Sequence, residues 1–127
     1  MADHQHAAMY RAAIEAFNQG DVAGMQEAMA DDIEWWEIGA SEPIRGKEAL
    51  MTAMQGDMGK WEITAELHDV VANDEHLIAL IEAKATRGDG KVLNYRTAEI
   101  HHLSADGRIT HRWAFSDDTQ AIIDFFS

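Results

Sequence analysis

Two glutamates in this chain stand beside residues that can give a carboxyl group chemistry to do. Glu37 ends the run Ile33-Glu34-Trp35-Trp36-Glu37, and strand alternation puts Trp35 on its own face. A carboxylate held against indole loses hydration, which raises its pKa toward the range of a general base. On a solvated rim the same group stays idle. Glu99 shares a strand face with Tyr95 and Thr97, two hydroxyls beside a carboxyl group. Two carboxyl groups held in different protonation states make an acid–base pair. Glu99 can equally serve as the ionic partner of Arg96, Arg112 or a histidine. Arg112 and Trp113 are strand neighbours and take opposite faces.

Other chemistries find little support. Without Cys there is neither a thiol nucleophile nor a thiolate metal site. His101 and His102 adjoin on a strand and point apart, and His4 and His6 fall in a terminus expected to fray. His68, His76 and His111 lack the spacing of metal ligands, so neither metal nor cofactor is expected. No Ser sits in a nucleophile elbow, and Gly88-Asp89-Gly90 reads as a hairpin rather than a phosphate loop.

The elements that must position these residues follow from periodicity. Met9, Tyr10, Ala13, Ile14 and Phe17 recur at steps of three and four, giving a helix over about His6 to Gln19. Gly20 stops it, and Asp21 caps a second helix carrying Val22, Met25 and Met29. Asp31-Asp32 separates this from the tryptophan-bearing strand, and a loop around Pro43 leads to a third helix with Ala49, Leu50, Ala53 and Met54. From Trp61 the period changes to two. Four strands are predicted: Trp61 to about Ala72, His76 to Thr86, Lys91 to Leu103 and Arg108 to Phe115. Asp117-Asp118-Thr119 caps a last short helix with Ile122, Ile123 and Phe126. Helices followed by an antiparallel meander mean α+β, the helices lying on one face of a curved sheet that cups a cavity. A broad outer sheet face is commonly covered by dimerisation.

Composition sets the outer limits. The chain has 127 residues, with ten Lys plus Arg against 23 Asp plus Glu, a net charge of −13. One domain over residues 1–127 is expected, with a core of its own. So acidic a surface repels phosphate backbones and disfavours anionic membranes, so neither nucleic acid nor membrane is an expected partner. An apolar content of 46% is that of a globular chain. No apolar stretch approaches the roughly 18–20 residues of a membrane span. The polar start Met1-Ala2-Asp3-His4-Gln5-His6 is not a signal peptide, and the expected location is cytoplasmic.

Met29-Ala30-Asp31-Asp32, then Trp35-Trp36-Glu37, Pro43-Ile44-Arg45-Gly46, and later Asp106-Gly107-Arg108-Ile109 with Trp113 form an ordered series. It resembles the nuclear transport factor 2-like superfamily, and within it the SnoaL-like and ketosteroid-isomerase-like branch. The resemblance runs from about Tyr10 to Phe126. It implies a cone-shaped α+β fold, in which a curved, mixed and mostly antiparallel sheet wraps around N-terminal helices over one deep pocket. It also implies a homodimer through the outer sheet face. Activity is implied only broadly, since the superfamily holds isomerases, cyclases, dehydratases, epoxide hydrolases and non-catalytic binders.

By that resemblance Glu37 matches the proton-shuttling Asp of the ketosteroid isomerases. Glu99 matches their acid that stays protonated and donates to the oxyanion. Their principal oxyanion donor, a Tyr on the first helix, is here Ala13; Tyr10 lies one turn earlier on the same side, and Tyr95 is another possible donor. Met54 falls where a further Tyr is common, so steroid isomerisation by the standard donor network is not expected. The family register places Arg112 in the pocket, to meet a ligand carboxylate, enolate or hydroxyl or to pair with Glu99.

The long hairpin carries a conflict. With a two-residue turn at the Asp-Gly signal of Arg87-Gly88-Asp89-Gly90, Lys84 lies across from Tyr95 and Glu82 from Thr97, and the family register points Glu82, Lys84, Tyr95, Thr97 and Glu99 into the pocket. Amphipathicity instead buries Leu77, Ala79, Ile81, Ala83 and Ala85. Both hold if that apolar face lies in a dimer interface; the rival is a monomer with Glu82 and Lys84 in solvent. The expected function is therefore a pocket protein for a small apolar or carbonyl-containing molecule. As a cofactor-free isomerase, cyclase, lyase or hydrolase it would use Glu37 and Glu99 catalytically, with Tyr10, Trp35, Lys84, Tyr95, Thr97 and Arg112 against the ligand. The alternative is a non-catalytic ligand-binding or dimeric interaction module of the same fold.

Overall fold

The computed structural model describes residues 4–57 and 59–127; Met1, Ala2 and Asp3 of the polar start, and Met58, lie outside them. The elements are α1 (Gln5–Gln19), α2 (Val22–Glu27), β1 (Met29–Trp35), β2 (Ile44–Arg45), α3 (Lys47–Asp57), β3 (Trp61–Ala72), β4 (His76–Arg87), β5 (Val92–Leu103), β6 (Ile109–Ser116) and α4 (Thr119–Phe126). Among the described residues the strands form one curved, unclosed sheet in the order β2-β1-β6-β5-β4-β3. The β1–β6 pair is parallel and the others are antiparallel. The α+β architecture with helices under a mixed sheet is as the periodicity and the resemblance imply. No helix among the described residues is long and apolar enough to cross a membrane.

The helix ends obey local chemistry. Gly20 closes α1 with φ +70°, Asp21 accepts from the Gly24 amide at 3.1 Å, and Asp118 accepts from the Ala121 amide at 3.1 Å. The start of α1 is anchored, contrary to the expected fraying. His4 Nδ1 accepts from the His6 amide at 3.1 Å, and the buried His6 ring bonds the Asn73 carbonyl through Nδ1 at 3.0 Å. At the other end of α1, the Asn18 side chain bonds both backbone groups of Ala65 on the edge strand β3, at 2.7 and 2.8 Å.

Two corrections concern strand limits and register. Asp31 and Asp32 do not interrupt: they sit exposed within β1, where its register against β6 shifts, and Ala30 and Ile33 on either side are buried. The strand then ends at Trp35, so Glu37 lies beyond it in a turn. There the Trp36 amide donates to the Arg112 carbonyl at 2.9 Å, and the Ala40 amide to the Glu37 carbonyl at 3.1 Å. The second correction is the β4–β5 loop. It has three residues, Gly88, Asp89 and Gly90, closed by the Arg87 amide on the Lys91 carbonyl at 2.8 Å and by Gly90 at φ +89°. One extra loop residue moves the pairing by one, to Ala83↔Tyr95, Ile81↔Thr97 and Lys84↔Asn94. A slip of one turns every side chain of a strand over.

The register conflict is thereby resolved. Leu77, Ala79, Ile81, Ala83 and Ala85 face inward beside Tyr95, Thr97 and Glu99, while Glu82 and Lys84 face out and are exposed. The apolar face of β4 is thus core and not the dimer face. The outer face carries its own apolar strip, linked by the cross-strand pairs Val71↔Ile78, Ile78↔Ile100, Leu80↔Ala98, Ile100↔Trp113 and Ala98↔Phe115. Val71, Ile78, Leu80 and Phe115 in it are exposed.

Candidate functional site

Between the concave face and the helices lies a cavity of about 540 Å³. Ala13, Ile14 and Phe17 of α1, Met25 of α2 and Ile122, Ile123 and Phe126 of α4 make an apolar wall. Strand β5 supplies the opposite wall. Its alternation presents Tyr95, Thr97, Glu99 and His101 to the cavity.

Arg112 organises the polar end. It lies in register with Trp35 on β1 and with His101 on β5. Its guanidinium sits 4.2 Å from the centroid of the Trp35 ring. Nε donates to Glu99 Oε1 and Nη2 lies on Glu99 Oε2, both at 3.2 Å, while Nη1 donates to the Trp36 carbonyl at 2.8 Å. The bidentate pair is enclosed, its side chains 11% and 12% exposed. Tyr10, buried on α1, donates its hydroxyl to Glu99 Oε1 at 3.3 Å. Burial and then the Glu99 charge push that phenol well above the usual tyrosine range. Burial by itself would raise the Glu99 carboxyl, but the Arg112 guanidinium outweighs it and holds the group below the ordinary carboxylate range. Glu99 is therefore a carboxylate, and the neutral-donor role drawn from the resemblance does not apply to it. Of its candidate partners, Arg112 and His101 are the ones in contact, whereas Arg96 lies on the other side of the sheet against Asp117 at 3.5 Å.

His101 is the residue that sequence reasoning missed. Its ring is 1% exposed, and its Nε2 lies 3.3 Å from Glu99 Oε1, too poorly directed to count as a good hydrogen bond. Neither ring nitrogen has a well-directed partner among the described residues. Burial lowers its pKa below the usual histidine value, so the ring is neutral near pH 7. The signal was present: 95, 97 and 99 continue to 101 on one strand face.

Glu37 lines the cavity at its mouth but is exposed, and its carboxylate has no bonded partner among the described residues. The expected desolvation against Trp35 does not occur, because the strand ends at Trp35 and Arg112 occupies the indole face. The turn holding Glu37 is pressed against α4: a Cβ on Gly39, at φ +83°, would meet Ile123 at 2.7 Å. Tyr95 is half-buried, with Phe126 edge-on at 6.2 Å, and Thr97 is buried; neither hydroxyl has a partner among the described residues. Lys84 is absent from the cavity and stands exposed on the outer face opposite Asn94, which removes it from the ligand-binding set. His76, His102 and His111 form a row on that outer face, where His111 reaches Glu34 at 3.2 Å. Among the described residues no three or more His, Asp or Glu side chains converge as metal ligands.

Residues 10–112 match the family described as the SnoaL-like domain. An uncharacterized protein of Mycobacterium tuberculosis is 31% identical over 134 residues, with all of both chains covered. A nuclear transport factor 2-like protein of unknown function from Burkholderia pseudomallei superposes with a TM-score of 0.83 at 17% identity, covering 95% of this chain and 96% of that one. A candidate polyketide cyclase of Xanthomonas campestris pv. campestris does so with a TM-score of 0.84 at 21% identity, covering 99% of this chain and 100% of that one.

Proposed function

The chain belongs to the SnoaL-like domain family and has its nuclear transport factor 2-like fold, and from that premise we propose that it holds a small, largely apolar molecule in the cavity under the sheet. One observation carries this: an apolar cavity of about 540 Å³ ends in the enclosed cluster of Tyr10, Glu99, His101 and Arg112. The apolar wall supplies affinity through buried area, and the unpartnered hydroxyls of Tyr95 and Thr97 orient a ligand oxygen. Trp35 and Arg112 form the far side. The neutral fluorophore N-phenyl-1-naphthylamine is expected to bind saturably with enhanced emission. Ala13→Trp, which puts an indole in the cavity, is expected to weaken it by about tenfold or more. Binding unchanged in that variant overturns the reading.

A second reading, acid–base catalysis, has one observation in its favour: Glu37 and Glu99 border the same cavity. Glu37 would take a proton at the mouth, and the Tyr95 hydroxyl would face the developing oxyanion. Glu99 would act by holding Arg112 and Tyr10 in place. The α-protons of 2-tetralone in D2O provide a probe. Catalysis predicts exchange faster with protein than with buffer, and a rate lowered at least about tenfold by Glu37→Gln, within the usual range for a general base. Exchange at the buffer rate with both proteins leaves binding alone. We further propose that the outer apolar strip of β3 to β6 is covered by a second copy of the chain, giving a homodimer.

A further inference from the structure

This inference rests on the binding reading above and narrows it by charge. We propose that the cavity selects uncharged ligands, and that Glu99 sets this selectivity by cancelling the charge of Arg112, a cationic side chain that borders it. Among the described lining residues Arg112 is the only Lys or Arg. Both Glu99 oxygens lie 3.2 Å from its nitrogens, and its Nη1 is engaged by the Trp36 carbonyl at 2.8 Å. A guanidinium has five N–H donors, so it keeps hydrogen bonds to offer a ligand oxygen. It keeps no net charge to offer an anion.

An anion leaving water for this apolar space needs a counter-charge, and none is free among the described lining residues. The remaining polar groups on that wall, Tyr95, Thr97 and the His101 ring with its unpartnered nitrogens, are neutral donors and acceptors. Glu37 at the mouth and a chain charge of −13 repel an approaching anion further. A cation is drawn to Glu37 at the mouth but finds no free counter-charge beside β5. Glu99 Oε1 already receives Tyr10 and Arg112, and Oε2 is held by Arg112. The ligand that loses least on entry is a neutral one, apolar over most of its surface, with a carbonyl, hydroxyl or ether oxygen toward β5.

The test uses three probes that share the 1-naphthylamine unit: neutral N-phenyl-1-naphthylamine, its sulfonated analogue 1-anilinonaphthalene-8-sulfonate, and the cation N-(1-naphthyl)ethylenediamine. The parent protein is expected to bind the neutral probe at least about tenfold more tightly than either ion, with Ala13→Trp removing that binding. Glu99→Gln, which frees the Arg112 charge, is expected to shift the ratio of affinities toward the sulfonate by about tenfold or more. Arg112→Gln, which frees the Glu99 charge, is expected to shift it toward the cation, so either variant suffices if the other does not fold. Equal binding of sulfonate and neutral probe at the Ala13→Trp-sensitive site overturns charge selection and leaves cavity binding intact, as does an unchanged preference in the charge variants. Neutral-probe binding indifferent to Ala13→Trp overturns both.

Discussion

Arg112→Leu is expected to cost about 3–4 kcal/mol of folding stability at pH 7, the usual penalty for stranding one member of a buried ion pair. The carboxylate left behind is enclosed with Tyr10 and His101 and has lost both of its guanidinium contacts. The pH dependence distinguishes this cause from lost packing. In the parent protein Glu99 lies below its ordinary range in the folded state, so its contribution is complete above the unfolded value, about 4.3, and declines as pH falls below it. In Arg112→Leu burial dominates and raises the folded value, so acidification lets the carboxyl take up a proton and restores stability. Denaturant titrations at pH 7 and pH 5 should therefore show the gap between the two proteins narrowing. A gap that is constant with pH assigns the loss to packing on Trp35 instead. Glu99→Leu/Arg112→Leu, with no stranded charge, should be more stable than Arg112→Leu.

The second large effect concerns assembly. Light scattering at micromolar concentration is expected to give twice the chain mass. Leu80→Asp combined with Phe115→Asp is expected to give the monomer. Both side chains are exposed on the outer face, in register with Ala98 from either side. Two carboxylates set into a strip that a second copy must desolvate remove most of the attraction, while neither touches the cavity. The variants should keep the parent circular dichroism, since both positions face outward. A monomeric parent protein sinks the dimer.

Periodicity was a good guide wherever burial decided the outcome. The α1 stripe, the caps at Gly20, Asp21 and Asp118, and the inward set Leu77 to Ala85 all follow from apolar spacing or local hydrogen bonding. What could not be read depended on distant partners. Loop length fixed the hairpin register, and one residue in Gly88-Asp89-Gly90 moved Lys84 from pocket to surface. Glu37 lies past the end of its strand, and Arg112, 75 positions later, bonds the neighbouring backbone and takes the Trp35 face. Glu99 had several cationic candidates in the sequence, and only the sheet order, with β6 between β1 and β5, selects Arg112. His101 was legible by simple alternation.

The amide of Asn18 on the backbone of Ala65 reaches past the helix it belongs to. A twelve-residue border strand is an open template onto which foreign chains can be laid one after another. Asn18 fills that template midway, and Glu62 and Glu66 project beside the filled position. Ribbon addition across that position is obstructed, which favours the face-to-face contact of the proposed homodimer. A self-complementary contact of that kind closes after two subunits instead of running on into fibres.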